Sequence, residues 1–343
     1  AHSLNQPACR PCRFTVQLHH RTSFPMKAAR FEYERAESIE QACALLAQFG
    51  GDAKLIAGGQ SLVPMMAMRL VRPAVLIDIN HIPALKGVRI EADHVAFGAC
   101  LLQRHATEHA ALLSALPLLG QAMAWVGHVQ TRNRGTLGGS IAHADPCAEL
   151  PTVAQMLDAV MRVRDSSGEH DMPAAQFFDG PMANGMSPEQ RRVGFRLPRW
   201  LGGRVGSAFE EVSIRHGDYA IVAAAAQIEL AADGRCTRAA IGIGGAGAVP
   251  LSMRSEAAAL VGSKLDDAAI DATAEAVSRG VEPGADLHAS VEYRRHLARV
   301  LTARVLRQSR DHAEGRGNGS GDGNGNNNGQ TGGTSPAQHR KVA

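Results

Sequence analysis

Cysteine is sparse and scattered: six in 343 residues, at positions 9, 12, 43, 100, 147 and 236, with Cys9 and Cys12 the one close pair. So few, so widely spaced, exclude a disulfide scaffold. An excess of charge of one sign is also missing. Lysine and arginine total 36, aspartate and glutamate 33, and the formal net charge is +3. The basic residues form no stripe, which excludes a nucleic-acid partner. No stretch approaches the roughly 18 apolar residues needed to cross a bilayer, so no integral membrane segment is expected. The first residues, AHSLNQPACRPCRFTVQLHH, place polar side chains where a secretory signal needs an apolar run, and a cytoplasmic location is expected. What is present is ordinary for a globular protein: 45% apolar and 20% charged residues, in a chain long enough for two cored domains.

Residues 1–25 carry no periodicity and are expected to be a disordered extension. Its Cys9-Arg10-Pro11-Cys12 run with His19 and His20 has metal-ligand chemistry, but the spacing alone is weak. Beyond Met26, short strands and helices follow one another. Strands are expected over 30–33, 54–57 and 75–79, with a helix over 39–49 opened by Ser38 and closed at Gly50-Gly51-Asp52. A hairpin pairs 88–90 with 94–98, and a second pairs 159–164 with the residues after Gly168. Thr107 is expected to cap a helix running to Leu119. Residues 131–144, rich in glycine, asparagine and arginine, are expected to form a loop, and 148–157 a helix. A glycine-rich linker over 201–206 leads to a second pattern beginning at Phe209. There, strands over 219–232 and 236–244 precede helices over 255–261, 266–278 and 291–310. Residues 309–343 are expected to be a disordered tail, nearly pure glycine, asparagine, aspartate and serine from 315 to 333. The order is α+β without a regular βαβ repeat, which argues against a Rossmann domain.

Two glycine pairs stand out. Ala57-Gly58-Gly59-Gln60-Ser61 follows a short strand. Paired glycines permit backbone conformations closed to other residues and let amides converge on an anion, with Ser61 and Gln60 as further donors. A plain tight turn is the alternative. No lysine stands at the P-loop position. Asn133-Arg134-Gly135-Thr136-Leu137-Gly138-Gly139-Ser140 repeats the theme, with His143, Asp145 and Glu149 following. Arg132 and Arg134 would offset phosphate charge, and Asp145 would accept from a ribose hydroxyl or an adenine amine; each has a loop or turn reading beside it.

On these residues a resemblance becomes specific. AGGQSLVPMMAMRL (57–70) and TRNRGTLGGSIAHADPCAEL (131–150) resemble the two flavin loops of the FAD-binding medium subunit of the molybdenum hydroxylase family, which includes carbon monoxide dehydrogenase and xanthine dehydrogenase-like enzymes. RHGDYA (215–220), GGAG (244–247) before Pro250, and SVEYRRHL (290–297) resemble segments of its C-terminal domain. The resemblance spans about residues 26–308. It implies a two-part FAD-binding domain of the vanillyl-alcohol oxidase type over 26–200 and a smaller α+β domain over 207–308. By it, Ala57, Gly58, Gly59, Gln60 and Ser61 line one side of the FAD pyrophosphate. Thr136, Gly138, Gly139 and Ser140 line the other, with Asp145 near the adenosine. Lys54 and Leu55 precede the first loop. Tyr219 is a candidate shield for the isoalloxazine or an interface aromatic. Arg254 approaches the flavin from the second domain or is solvated. Gln60 stands where some relatives have histidine.

The resemblance further implies a large molybdopterin-binding subunit that hydroxylates the substrate and a small subunit with [2Fe–2S] clusters, the whole assembling as a dimer of heterotrimers. This chain, lacking a cysteine group, would carry FAD alone, and no acid–base residue of its own for substrate hydroxylation is expected. The competing reading is a self-contained flavin oxidoreductase like vanillyl-alcohol oxidase or the UDP-sugar reductase, which would need its own substrate pocket and catalytic acid.

Overall fold

The computed structural model describes residues 27–165, 168–186 and 191–316. The expected extension over 1–25 and the tail beyond 316 lie outside these residues.

The chain opens with a small parallel sheet of β1 (Glu32–Arg35), β2 (Ala53–Ile56) and β3 (Val75–Asp78), in the order β1-β3-β2. Helix Ile39–Phe49 connects β1 to β2. Ser38 starts it, its hydroxyl accepting from the Gln41 amide at 3.1 Å, and Gly50 ends it in a left-handed conformation (φ 55°) with its amide on the Leu46 carbonyl. Leu46 packs with Val75, Ile77 and Ile79 into the core of this part.

The second part is a five-stranded antiparallel sheet. It contains β4 (Val88–Ile90), β5 (His94–Gly98), β6 (Val160–Asp165) and β7 (Gly168–Pro173). A two-stranded pair, β8 (Phe178–Gly180) and β9 (Ala183–Asn184), precedes the central β10 (Arg191–Pro198), and the sheet order is β4-β5-β10-β6-β7. Phe97 and Phe195, opposed across β5 and β10, stack with centroids 4.7 Å apart. They head an apolar core completed by helices Pro117–Met123, Leu137–His143 and Glu149–Met156.

The C-terminal domain is an antiparallel meander of β11 (Val205–Ser213), β12 (Ala220–Leu230), β13 (Cys236–Gly244) and β14 (Leu251–Ser252). Along β12, Ala224 and Ala226 face helices Asp267–Gly280 and Val291–Ala313, whereas Ala223 and Ala225 face the first domain. Small residues let the domains close on each other. A Cβ on Gly242 would stand 2.8 Å from the Met156 Cβ, and one on Gly244 2.6 Å from the Thr152 hydroxyl. The Gly245 amide completes the seam on the Pro146 carbonyl at 2.8 Å.

Four expectations are corrected. The helix expected from Thr107 to Leu119 is three short ones, Gln103–Glu108, Ala110–Ala115 and Pro117–Met123. His109 rather than Thr107 provides a cap, and Pro117 starts a new helix because its ring cannot continue the old one. Residues 131–144 are not a loop: helices Val129–Arg132 and Leu137–His143 occupy most of them. The second pattern begins at Val205, not Phe209. The tail does not begin at 309. The last helix runs to Ala313 because Ser309 is fully buried, its hydroxyl on the Ala226 carbonyl, and Ala313 packs in the same core. Gly242, Gly244 and Gly247 carry the spacing of a dinucleotide-binding fingerprint, but they end an antiparallel strand and open no helix, so the motif lacks its structural context.

Candidate functional site

A cleft of about 1440 Å³ opens between the two halves of the first domain and is roofed by the loop from β11 to β12. Its first wall is the turn after β2. Gly59 takes φ +70°, a conformation costly for any side chain. Gln60 donates to the Gly58 carbonyl at 3.1 Å, and Ser61 leads into helix Leu62–Ala67. This turn is held from behind. Asn80 donates to the Ala57 carbonyl at 2.8 Å and to Asp78 at 2.7 Å, and Asp78 also accepts from the Tyr33 hydroxyl.

The second wall is the 131–143 segment, and the two walls touch. A Cβ on Gly58 would lie 2.8 Å from the Gly135 Cα and closer still to the Arg134 carbonyl oxygen. Gly58 is therefore needed for close approach of two backbones that are far apart in sequence. Thr136 caps helix Leu137–His143, its hydroxyl accepting from the Gly139 amide at 2.9 Å. The glycines that made this segment look loop-like serve packing. Gly138 rests on Ala99, where a Cβ would stand 2.7 Å from the Ala99 Cα, and Gly135 rests on the Gln103 side chain.

Of the residues expected at the site, Lys54, Leu55, Ala57, Gly58, Gly59, Gln60, Ser61, Thr136, Gly139, Ser140 and Tyr219 all line this one cleft. Three do not. Gly138 is buried in the helix-to-Ala99 packing. Asp145 accepts from the Cys147 amide at 2.8 Å and sets the turn before helix Glu149–Met156. Arg254 is a correction: it pairs with Asp158 across the domain seam, its side chain largely exposed and outside the cleft. Arg132 also differs from its expected phosphate role, because its guanidinium donates to the Val126 and Gly127 carbonyls at 2.8 and 2.9 Å. Trp125 packs on the core and stacks on His216.

His143 and Glu149, which follow the second glycine pair, and Gly217 and Asp218 of the RHGDYA segment line the cleft too, whereas Gln103 and Asn184 were not anticipated. Gln103 is buried, and its Oε1 has no hydrogen-bond partner, an orphan acceptor in the cleft wall. Tyr219 is half exposed and lies within hydrogen-bond reach of Ser61 across the cleft. Partial burial and the Asp145 charge raise its phenol, which stays protonated at neutral pH. Among the described residues no group of histidine, cysteine, aspartate and glutamate is arranged to hold a metal, and no helix is long and apolar enough to cross a membrane.

This geometry, two abutting glycine turns over one large cleft with a second domain as roof, defines a two-domain α+β protein with a ligand-sized cleft between its parts. Residues 29–200 match the FAD binding domain in molybdopterin dehydrogenase, and 207–309 match the CO dehydrogenase flavoprotein C-terminal domain. The chain is 41% identical to the 6-hydroxypseudooxynicotine dehydrogenase complex subunit alpha of Paenarthrobacter nicotinovorans, covering 82% of this chain and 95% of that one. It is 34% identical to the carbon monoxide dehydrogenase medium chain of Hydrogenophaga pseudoflava, over 81% and 96%. Among solved structures, carbon monoxide dehydrogenase from the same organism superimposes with a TM-score of 0.80 at 33% identity, covering 83% of this chain and 99% of that one. Quinoline 2-oxidoreductase from Pseudomonas putida 86 does so with 0.79 at 33%, over 84% and 99%. The chain belongs to the FAD-binding medium-subunit family of the molybdopterin-dependent dehydrogenases, and its general role is that of the FAD-binding subunit in such an oxidoreductase complex.

The residues present fit FAD. Gly58 admits no Cβ, Gly59 holds a left-handed turn, and Gln103 presents an orphan acceptor in the same cleft.

Proposed function

We propose that this chain is the electron-transfer subunit of a molybdenum hydroxylase. It would take electrons from a small subunit with [2Fe–2S] clusters and deliver them to an external acceptor, while a large molybdopterin subunit oxidises the substrate. One observation carries the reading: Gly58 is pressed against the Arg134–Gly135 backbone, so that two distant glycine turns become adjacent walls of one cleft.

FAD supplies the redox chemistry when bound; the chain supplies binding, orientation and shelter from water. Ala57 to Ser61 would hold the diphosphate from one side, and Thr136, Gly139 and Ser140 from the other. Lys54 and Leu55 extend the first wall, and Asp145 acts through the turn it sets. Tyr219, with its proton kept on the phenol oxygen, covers the cleft from the second domain and meets Ser61. No nucleophile with an adjacent base is needed, because substrate oxidation would belong to the partner.

The test is purification of the native assembly with flavin, iron and molybdenum analysis, expected to give all three in a dimer of heterotrimers. This chain produced alone should retain FAD and accept electrons from a chemical reductant, yet oxidise no organic substrate. Efficient turnover of an organic substrate by the lone chain would overturn the proposal in favour of a self-contained oxidoreductase.

A further inference from the structure

Behind the cleft, the domain seam contains a carboxyl group with no evident counter-group. Glu211 on β11 stands opposite Ala223 of β12, which stands opposite Gly244 of β13. Directly opposed residues of an antiparallel sheet project from the same face. For this rung, that face is the seam, because Gly244 lies under Thr152 and the Pro146 carbonyl. The next rung, Phe209–Ala225–Gly242, faces the same way and meets Met156. Glu211 therefore points from the second domain into the seam. It is 6% exposed, and both of its carboxyl oxygens are buried without a hydrogen-bond partner.

The residue that begins helix Glu149–Met156 is also an acid. Glu149 is equally buried and lines the cleft. The surrounding charges do not neutralise the two. Asp145 and Cys147 on the preceding turn and Tyr219 on the roof loop are acidic or neutral groups. Arg294, the cation that acts on Cys147, is engaged by Asp286 at 2.6 Å and by the Ile221 and Gly245 carbonyls. Glu210 points to the opposite face, where it meets Arg304 and Gln308.

An unpaired buried carboxylate costs several kcal/mol, and two acids at one place resist joint ionisation. Burial, then the charge of Glu149, pushes Glu211 up to about 8. Burial, with the Asp145 charge adding to it, pushes Glu149 up to about 7. A proton kept on Glu211 removes the uncompensated charge from the seam.

We propose that Glu211 keeps its proton at neutral pH, so that the domain seam beside the cleft-lining Glu149 holds a neutral carboxyl rather than a second buried charge. The inference stands on the seam and does not require the cofactor reading. Both acids bind a proton more tightly in the folded chain than in the unfolded one. Their contribution is therefore complete below the ordinary glutamate value of 4.5 and is lost as pH rises through about 7 to 8.

Two measurements on the full chain test this. The wild-type infrared spectrum at neutral pH should contain a protonated-carboxyl band that Glu211→Gln removes and that alkali abolishes. In thermal unfolding the wild-type Tm should fall by on the order of 5 °C between about pH 6 and about pH 9. Glu211→Gln, which keeps a donor but cannot ionise, should match the wild type at the acid end and lose most of the alkaline decline. Glu211→Ala should already be less stable at the acid end. A wild-type spectrum without the band overturns the proposal, even if Glu211→Gln does not fold. An alkaline decline in Glu211→Gln equal to the wild type's overturns it as well.

Discussion

Replacing Gly58 with alanine isolates the contact between the two walls of the cleft. The backbone of Gly58 is not left-handed, so alanine suffers no conformational penalty there, and any effect comes from what its methyl meets. The methyl would stand 2.8 Å from the Gly135 Cα and closer to the Arg134 carbonyl oxygen, against an ordinary separation of about 3.5–4.0 Å. Those atoms are backbone, held by helix Val129–Arg132 and by the Gln103 amide on the Gly135 carbonyl, so they cannot swing aside as a side chain would. The walls must part by about 1 Å, which places the penalty in the overpacking range of about 1–3 kcal/mol. At about 1.4 kcal/mol per decade, FAD affinity should fall roughly 5- to 150-fold if the whole penalty falls on the bound state. Titration of apoprotein with FAD, followed by flavin fluorescence quenching, reads this directly. Gly203→Ala is the control, since a Cβ there meets nothing within 4 Å. Wild-type affinity and Tm in Gly58→Ala would refute the account of the site.

Gly59→Val should lose flavin more severely, because a β-branched residue is forced to φ +70° beside Val63; the flavin-to-protein absorbance ratio after gel filtration checks it. Asn80→Ala frees the Ala57 carbonyl and should weaken FAD binding by about 1 kcal/mol, measurable in the same titration, with little effect on the rest of the fold. Arg294→Met leaves the Ile221 and Gly245 carbonyls unpaired, and each should cost about 1–3 kcal/mol in denaturant unfolding. Arg254→Ala breaks an exposed pair with Asp158 and should change stability by less than about 1 kcal/mol and flavin content not at all. A variant depleted of flavin would return Arg254 to the cleft.

Local chemistry explains what could be read in advance. Ser38 and Gly50 carry their signals within one turn of the helix they bound, so Ile39–Phe49 was legible to the residue. The hairpin of β4 and β5 was legible for the same reason, with a polar turn between two short apolar runs. The segment 131–144 misled because glycine has two uses. Sequence displays its conformational freedom, whereas at Gly135 and Gly138 the fold uses its lack of a side chain. Only the distant partners, Gln103 and Ala99, reveal which use applies. Asn80 was invisible as a support for the first wall because its contact with Ala57 depends on β3 lying beside β2, a pairing of strands separated by a helix. Arg254 was drawn toward the cleft by its position after a glycine-rich turn. Its direction is decided instead by Asp158, almost a hundred residues earlier.

The alanines of β12 and the glycines of β13 make the boundary near residue 200 a line in the sequence only. Met156, Phe209, Ala223 and Ala225 contribute to one shared interior, so a fragment ending at that line would bare the apolar flank of helix Glu149–Met156 to water. Such a fragment would be expected to clump rather than stand alone. The flavin-binding half is thus not a portable part that could be grafted elsewhere without the sheet that covers it.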